Sequence, residues 1–403
     1  MEHYDVIIVG GGAAGLFARA NLPPSNALLL EAGEEAGRKL LITGSGMCNL
    51  TNTLEVQEFL NHYGSKAQRN FLLPALQNLT PTQLRGWFEG RGVATIVRGD
   101  GKVFPQSHSA QAVRDSLLAS SRIPICCNEK VSAIAVASHG FLVTTASARY
   151  HTKALIVATG GKSYPRTGSD GSLYPILRGL GHTVVEPKPA LVGLVIHDWH
   201  YARLAGSSIQ NVRVAAVHGG EDKPYYQGSG DLLFTHRGLS GPPILTLSGS
   251  ALRGDTITVT FVAEPMRTLE VLARAHPQQQ MVTHLKEAGL TRAFAAAVLE
   301  QANIGAEDTW NHVDSMRRKT LCSLLCAHPF VVEGTMGFSS AMATRGGVAL
   351  GEVNRKSMES RLHRGLFFCG EVLDYDGESG GFNLQGAFST ALLAASHMKE
   401  RVS

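Results

Sequence analysis

Cysteine is scarce in this sequence, with six residues in 403 (Cys48, Cys126, Cys127, Cys322, Cys326 and Cys369). So few cysteines exclude a disulfide framework, and without Cys-x2-Cys or His-x3-His spacing they predict no metal site. Apolar runs approaching the roughly 18 residues of a membrane span are also missing. The first residues, MEHYDVIIVGGG, lack the basic segment and cleavage site of a secretory signal. We therefore expect a cytoplasmic protein without a membrane partner.

Excess charge of one sign is likewise small, since the net charge is only +4. This mild excess is compatible with an anionic cofactor or substrate and falls short of the charge typical of nucleic-acid-binding proteins. Hydrophobic residues make up 44% of the chain, which is ordinary for a globular protein. A length of 403 residues predicts two or three domains.

The stretch YDVIIVGGGAAGLFARA is the first strong motif. A β-branched run from Val6 to Val9 leads into Gly10-x-Gly12-x-x-Gly15, and a sequence of helical character follows. Gly10 permits the tight turn, Gly12 lets a pyrophosphate approach the backbone, and Gly15 lets the helix lie close to the strand. Free N–H groups at the helix start would then face the phosphates. The motif predicts a dinucleotide-binding fold.

A second apolar strand, ALLLE, ends in Glu31, about 20 residues after the first glycine. A carboxylate at this place accepts hydrogen bonds from a ribose diol and repels a 2′-phosphate. The site therefore favours FAD or NAD over NADP.

Two further junctions between a strand and glycines distinguish FAD from NAD. Leu155 to Ala158 run into Thr159-Gly160-Gly161, and Leu366 to Cys369 run into Gly370-Glu371, ahead of Gly380-Gly381-Phe382-Asn383 and a long helix. A ligand that reaches all three junctions must be long, as FAD is. We expect Glu371 to bind the ribitol and the later turn to direct backbone N–H groups at flavin N1 and C2=O. Because no second Gly-x-Gly-x-x-Gly follows a strand, NAD(P)H would bind only transiently.

Four segments together carry a family resemblance: GRKLLITGSGMCNLTN, ATGGKSYPRTGSDG, LLFTHRGLSGPPILTLS and GLFFCGEVLDYDGESGGFNLQGAF. In this order, and over essentially the whole chain, the sequence resembles the BaiN/YhiN-like flavoproteins, also called the aminoacetone-oxidase family. The resemblance implies an α/β fold with one Rossmann-like, glutathione-reductase-like FAD domain. It also implies an inserted β-barrel-like domain that carries a helical subdomain. The activities that it implies are amine oxidation, reduction of conjugated double bonds in steroid acids and dihydrouridine formation in ribosomal RNA.

The pattern of the chain agrees with that architecture. We predict a first FAD-domain part at 1–190, an inserted β-rich domain at 191–265 and a helical subdomain at 266–330. A return strand at 331–344 then leads into the second FAD-domain part at 345–403. Three features mark these boundaries. Prolines precede an apolar strand near residue 190, short strands separated by Gly/Pro turns follow, and a stretch of helical spacing comes next.

The loop in GRKLLITGSGMCNLTN follows the ribose-binding strand closely, so it must run beside the cofactor. Arg38 and Lys39 would meet the diphosphate or the substrate side, while residues 43–49 would offer N–H groups to the flavin half. Cys48 has no second cysteine nearby for a redox pair, which leaves a small side chain lining the pocket or an acid near flavin N5. The resembled family usually has Gly-Gly-Gly-Arg-Cys-Asn here, so Met47 is the departure.

The predicted function is FAD-dependent hydride transfer through flavin N5 to or from a substrate held between the flavin and the inserted domain. The open alternatives are a ribosomal RNA reductase, a small-amine oxidase that uses O2, and a flavin-binding redox sensor.

His236, before a Gly/Pro turn, is the candidate acid or base, with an interface or turn role as its alternative. The basic run MRRKT is a possible RNA contact or an ordinary solvated helix face. The predicted cofactor residues are Gly10, Gly12, Ala13, Ala14, Gly15, Glu31, Arg38, Lys39, Thr43, Ser45, Gly46, Cys48, Asn49, Val131, Thr159, Gly160, Gly161, Gly370, Glu371, Gly381, Phe382 and Asn383.

Overall fold

The computed structural model describes residues 2–23 and 26–402. The chain divides into two compact units. One unit comprises Met1–Pro189 and Ala341–Ser403, and the other comprises Ala190–Ser340. The finer five-part division of the chain stays a prediction.

Strands and helices are named here in chain order. The strands are β1 (Glu2–Val9), β2 (Ala27–Leu30), β3 (Thr51–Asn52), β4 (Thr95–Val97), β5 (Lys102–Pro105), β6 (Ile125–Cys126), β7 (Ala133–Ala137), β8 (Gly140–Thr144), β9 (Arg149–Val157), β10 (Val184–Ala190), β11 (Leu194–Ile196), β12 (Ser208–Val217), β13 (Tyr226–Phe234), β14 (Gly238–Ser240), β15 (Thr256–Thr260), β16 (His328–Thr335), β17 (Ala343–Val348) and β18 (Leu366–Phe368). The α-helices are α1 (Ala13–Asn21), α2 (Arg38–Leu41), α3 (Val56–Leu60), α4 (Lys66–Asn78), α5 (Pro81–Glu89), α6 (Ala110–Ala119), α7 (Tyr174–Gly179), α8 (Pro242–Leu247), α9 (Pro265–Ala275), α10 (Met281–Glu287), α11 (Arg292–Gln301), α12 (Ser315–Cys326) and α13 (Phe382–Val402).

The first unit is built on a sheet with the strand order β6-β2-β1-β9-β8-β7, in which β18 also pairs with β9. Strands β2, β1, β9 and β18 run parallel, whereas β7, β8 and β9 pair antiparallel. All four residues of β2 are buried. Such continuous apolar strands are typical of a parallel sheet covered on both faces.

Helices α1 and α13 pack against each other in this unit. Phe17 of α1 contacts Phe388 of α13, with ring centroids 4.9 Å apart, and Trp87 of α5, with centroids 4.6 Å apart. Phe17 and Phe388 are fully buried, and a buried phenylalanine contributes roughly 1.5–3 kcal/mol to folding. The C-terminal helix is thereby fixed beside the first helix of the nucleotide-binding fold.

The second unit contains a closed antiparallel barrel with the strand order β11-β14-β13-β12-β15-β16. Closure removes the exposed strand edges that an open sheet would leave. Side chains alternate along β15, where Ile257 and Val259 face the core, and helices α9 to α12 add their apolar side chains to the same core. The predicted fold class, an α/β nucleotide-binding fold with a barrel-like insertion and a helical subdomain, is confirmed. Within 2–23 and 26–402, each helix is too short or not apolar enough to cross a membrane.

Candidate functional site

The three predicted glycine junctions lie side by side at one edge of the central sheet. Val9 of β1 pairs with Val157 of β9, and Val157 pairs in turn with Phe368 of β18. Because these strands are parallel, the turns that follow them meet at the same edge. In α/β folds this carboxyl edge is where nucleotides bind.

The glycines of the first turn have different structural roles. Gly10 has a φ of +103°, and a Cβ on Gly15 would lie 1.8 Å from the Gly10 carbonyl oxygen. The backbone conformation therefore disfavours a side chain at Gly10, and close packing excludes one at Gly15. A Cβ on Gly12, in contrast, would meet no atom within 4 Å. Gly12 borders open space at the start of α1, where a ligand phosphate can approach the helix N-terminus.

Glu31 is held firmly at the end of β2. Its Oε2 accepts the Gly11 N–H at 2.6 Å and its Oε1 accepts the Gly33 N–H at 2.7 Å. The residue is buried, with 8% of its surface exposed. Each carboxylate oxygen keeps a further lone pair, so Glu31 is still able to accept a bond from a sugar hydroxyl.

A first cavity opens at this end of the sheet. Six of the predicted residues line it: Gly10, Gly12, Glu31, Val131, Thr159 and Gly160. Lys130, Ser169, Asp170 and Tyr174 also line it and were not predicted, although the polar stretch GSDGS after the second junction was a usable signal. Lys130 Nζ pairs with Asp170 Oδ2 at 2.7 Å, which neutralises that carboxylate.

A second cavity continues from the first. Eight predicted residues line it: Ala13, Ala14, Lys39, Thr43, Thr159, Gly160, Glu371 and Asn383. Sequence reasoning missed other lining residues, among them Ser169, Met342, Tyr375 and Leu384. The two cavities share Ala158, Thr159, Gly160 and Ser169, so they adjoin at these residues, with Glu31 lining the first and Glu371 the second.

Three buried hydroxyls in this space make no hydrogen bond to the described residues. They are Ser169 Oγ, which lines both cavities, Tyr174 OH, which lines the first, and Tyr375 OH, which lines the second. Burial raises the pKa of Tyr174, so its phenol stays protonated. An unpaired buried polar group costs about 1–3 kcal/mol, and a polar ligand in the cavities would remove that cost. Together with the open cradle at Gly12, these groups fit a dinucleotide.

Lys39, Ser163 and Glu371 form a closed network at the wall of the second cavity. Lys39 Nζ lies 2.8 Å from Glu371 Oε2 and also donates to Ser163 Oγ, which donates to Glu371 Oε1 at 2.8 Å. Thr344 Oγ1 accepts the Ser163 N–H and fixes its position. The network joins α2 to the turn after β18, across 332 positions of sequence.

The glycine-rich loop adopts an unusual backbone. Gly44, Ser45 and Cys48 have φ values of 54°, 57° and 58°, in the left-handed region. The Met47 sulfur lies 3.4 Å from Arg98 Nη2, and the Arg98 guanidinium stacks over Phe104 at 4.0 Å. A cation thus lies beside the residue that departs from the family pattern.

Cys48 is fully buried and belongs to the apolar core of the first unit. Burial raises the pKa of its thiol to about 12, so the thiolate does not form near neutral pH. This placement in the core differs from the expected pocket-lining position.

The turn before α13 is held by side chains that were expected to face the cofactor. In the orientation that satisfies its amide, Asn49 accepts the Gly381 N–H at 3.0 Å. Asn383 Oδ1 accepts the Gly377 N–H at 2.9 Å, and its amide donates to the Gly377 carbonyl at 2.8 Å. Phe382 is buried and packs on Phe59 with ring centroids 4.6 Å apart. The Gly381 N–H is therefore engaged within the protein, contrary to the expectation that it points at the flavin.

The remaining predicted cofactor residues have diverse surroundings. Arg38 begins α2, and Ser45 and Gly46 lie in the loop, where Ser45 is exposed. A Cβ on Gly161 would lie 2.4 Å from Thr344 Oγ1, and the Gly370 N–H donates to Thr390 Oγ1 at 3.0 Å. Gly161 and Gly370 therefore also make contacts within the protein, each with a threonine.

The predicted candidates outside the first unit are surface residues. His236 is exposed on the turn between β13 and β14. In the basic run, Arg317 Nε pairs with Asp314 Oδ2 at 2.6 Å, and the Arg318 guanidinium stacks over Trp310 at 4.4 Å. Both arginines therefore stabilise the second unit internally, whereas Lys319 is exposed.

Known proteins similar to this chain span nearly its full length. A 3-dehydro-bile acid delta(4,6)-reductase of Clostridium scindens is 30% identical over 425 residues, and a ribosomal RNA dihydrouridine synthase of Escherichia coli is 30% identical over 407 residues. In both comparisons 98% of each chain is covered. In fold, the chain resembles a 3-ketosteroid delta1-dehydrogenase from Sterolibacterium denitrificans, with a TM-score of 0.50, 11% identity and full coverage of both chains.

The family model for the HI0933-like protein Rossmann domain matches residues 4–397. This match includes the three glycine junctions, the loop with Met47 and the barrel strands. The family resemblance predicted from the motifs is confirmed. The chain belongs to the HI0933-like family, the group of BaiN/YhiN-like flavoproteins.

Proposed function

We propose that this protein is an FAD-dependent oxidoreductase whose cofactor is held by the residues lining the two connected cavities. The observation that carries the proposal is the pair of adjoining cavities, one lined by Glu31 and Gly12 and the other by Glu371, with the unpaired Ser169 hydroxyl lining both. Glu31 would accept the ribose hydroxyls, the start of α1 would bind the diphosphate, and Glu371 would meet the ribitol. Bound FAD would supply hydride transfer through N5.

We propose the reductive direction for the reaction. The names of the two relatives both describe reductive chemistry, one on a bile acid and the other forming dihydrouridine. Each such reduction adds one hydride and one proton across a carbon–carbon double bond. NAD(P)H, bound transiently, is the proposed source of electrons. His236, whose imidazole is exposed, is the proposed proton donor.

The cofactor part of the proposal is tested on the purified protein. We expect a yellow protein that absorbs near about 450 nm and releases FAD on denaturation. A colourless protein that takes up no added FAD would refute it. Anaerobic mixing with NADH or NADPH should bleach the flavin. Rapid oxidation of an amine in air, without bleaching by either nucleotide, would instead identify an amine oxidase. A bound flavin that turns over neither kind of substrate would identify a redox sensor.

The substrate is tested separately by nucleoside analysis of ribosomal RNA from cells with and without the gene. Loss of a dihydrouridine in the deletion strain would identify the RNA reductase. Unchanged RNA would favour a small unsaturated acid. Lys319→Ala is the cleaner probe of RNA contact, because Arg317 and Arg318 have structural contacts whose loss would disturb the helix. A His236→Asn variant should lower kcat without altering the flavin spectrum.

A further inference from the structure

We propose that Lys39 serves to neutralise Glu371, and that this neutralisation lets a carboxylate line a pocket for a ligand with a negatively charged diphosphate. The inference rests on the proposed function and specifies the charge balance of the same site. Lys39 Nζ and Glu371 Oε2 are 2.8 Å apart, and the two side chains are 22% and 21% exposed. Both residues line the second cavity.

Carboxylates that line a cavity for an anion need compensation, because like charges repel strongly where water is partly excluded. Two of the three other lining carboxylates, Glu31 and Asp170, show such compensation, whereas Glu129 accepts the Ser147 hydroxyl at one oxygen and has no hydrogen bond from the described residues at the other. Glu31 accepts two backbone N–H groups, and Asp170 pairs with Lys130 at 2.7 Å. Glu371 receives its compensation from the ammonium of Lys39. Every one of these three acids is thus matched by donors of the protein itself.

The geometry points to a lasting pair rather than a lysine waiting for phosphate. Lys39 donates to both Glu371 and Ser163, and Ser163 completes the ring by donating to Glu371. Thr344 Oγ1 accepts the backbone N–H of both Lys162 and Ser163, at 2.7 and 3.1 Å, so the serine cannot easily follow a moving lysine. Two of the three ammonium hydrogens are accounted for inside the network.

The two possible roles of Lys39 are separated by a double-mutant cycle. FAD dissociation constants are measured by the quenching of flavin fluorescence as FAD is titrated with apoprotein. The variants are Lys39→Met, Glu371→Gln and the double variant. Lys39→Met should weaken binding at least about tenfold, because it leaves an uncompensated Glu371 charge in the cavity that would hold an anionic ligand. Glu371→Gln should weaken binding by about threefold at most, since its amide oxygen still accepts hydrogen bonds.

The double variant decides the proposal. If Lys39 acts by neutralising Glu371, the double variant should bind FAD as Glu371→Gln does. A double variant as weak as Lys39→Met would show that Lys39 contacts the diphosphate directly, and wild-type affinity in Lys39→Met would also overturn the proposal. Lys153→Met, which removes the exposed pair with Asp5, is the matched control and should bind normally. Thermal unfolding of each apoprotein verifies folding. Failure of the wild type to bind FAD would refute the proposed function instead.

Discussion

Glu31 and Gly11 are joined by a 2.6 Å hydrogen bond from the glycine N–H to the carboxylate Oε2, across 20 positions of sequence. The bond links the end of β2 to the turn after β1. It fixes the position of the carboxylate at the wall of the first cavity, in the place where the sugar of a dinucleotide would lie.

Replacing Glu31 with Gln should weaken FAD binding roughly tenfold to hundredfold. The amide group brings an N–H where the carboxylate accepted one, so a charge-assisted bond worth about 1.5–3 kcal/mol is lost. Fluorescence titration of the apoprotein with FAD measures the effect. Glu34→Gln, at an exposed position nearby, is the control and should bind as the wild type does. Equal affinity of Glu31→Gln and wild type would contradict the ribose-binding role.

Gly12 and Gly15 should respond in opposite ways to alanine. Gly12→Ala should keep the free energy of unfolding within about 1 kcal/mol, because its Cβ meets open space, yet it should reduce FAD affinity by narrowing the cradle. Gly15→Ala should cost about 3 kcal/mol or more, because its Cβ would lie 1.8 Å from a backbone oxygen. Denaturant unfolding of the apoproteins and FAD titration check both effects. Normal FAD binding by Gly12→Ala would show that the ligand does not approach there.

Acid should destabilise the second unit through His328. Burial lowers the pKa of His328 to about 4, while its ring lies 3.0 Å from Tyr201 OH and 3.2 Å from the Leu324 carbonyl. In the unfolded chain His328 takes up a proton near the ordinary pKa of about 6.5. In the folded chain it binds that proton only when the pH falls to about 4. Stability is therefore full above pH 6.5 and falls, by up to about 3 kcal/mol, as the pH drops toward 4.

A His328→Gln variant should have a flatter dependence of stability on pH over that interval, even if it is less stable at neutral pH. Urea unfolding at several pH values between 4 and 7 measures the slope. His236→Asn removes an exposed histidine of the same unit and should leave the slope unchanged. An unaltered slope in His328→Gln would assign the acid sensitivity to other groups.

The cysteines should differ in reactivity with thiol reagents. Cys48 and Cys369 are fully buried, and burial raises the pKa of both thiols, whereas Cys326 is exposed. In the native protein Cys326 should be labelled rapidly, while Cys48 and Cys369 should react only after unfolding. Mass spectrometry of digested, alkylated protein identifies the labelled residues. Rapid labelling of native Cys48 would revive its interpretation as a thiol at the active site.

Local patterns in the sequence were sufficient to predict much of the first unit. The glycine fingerprint, the carboxylate at Glu31 and the junctions at Thr159 and Gly370 each depend on a few consecutive residues. Strands and tight turns are encoded at that range, by β-branched runs and by glycines at positions where a side chain would clash. Short strands separated by Gly/Pro turns predicted a β-rich insertion in the same way, whereas the barrel itself was implied by the family resemblance.

Roles of individual side chains could not be predicted with equal success. Arg345 is one example, because its Nε and Nη2 atoms both lie 3.0 Å from the carboxylate of buried Asp376, which is 31 positions away in sequence. Asn49 and Asn383 were expected to bind the cofactor; both hold the turn before α13, and Asn383 also lines the second cavity. Polar residues beside a glycine turn have the same signature whether they bind a ligand or fix the turn itself.

The sequence by itself determined the nucleotide-binding fold and its family, because strand, glycine turn and helix are written in short contiguous segments. Only the tertiary structure decided which side chains meet. The pairing of Lys39 with Glu371, and the approach of Arg98 to Met47, join residues that are 332 and 51 positions apart. Such contacts follow from the order of strands in the sheet and from loop closure, which no local pattern specifies. The charge balance of the two cavities is therefore a property of the fold.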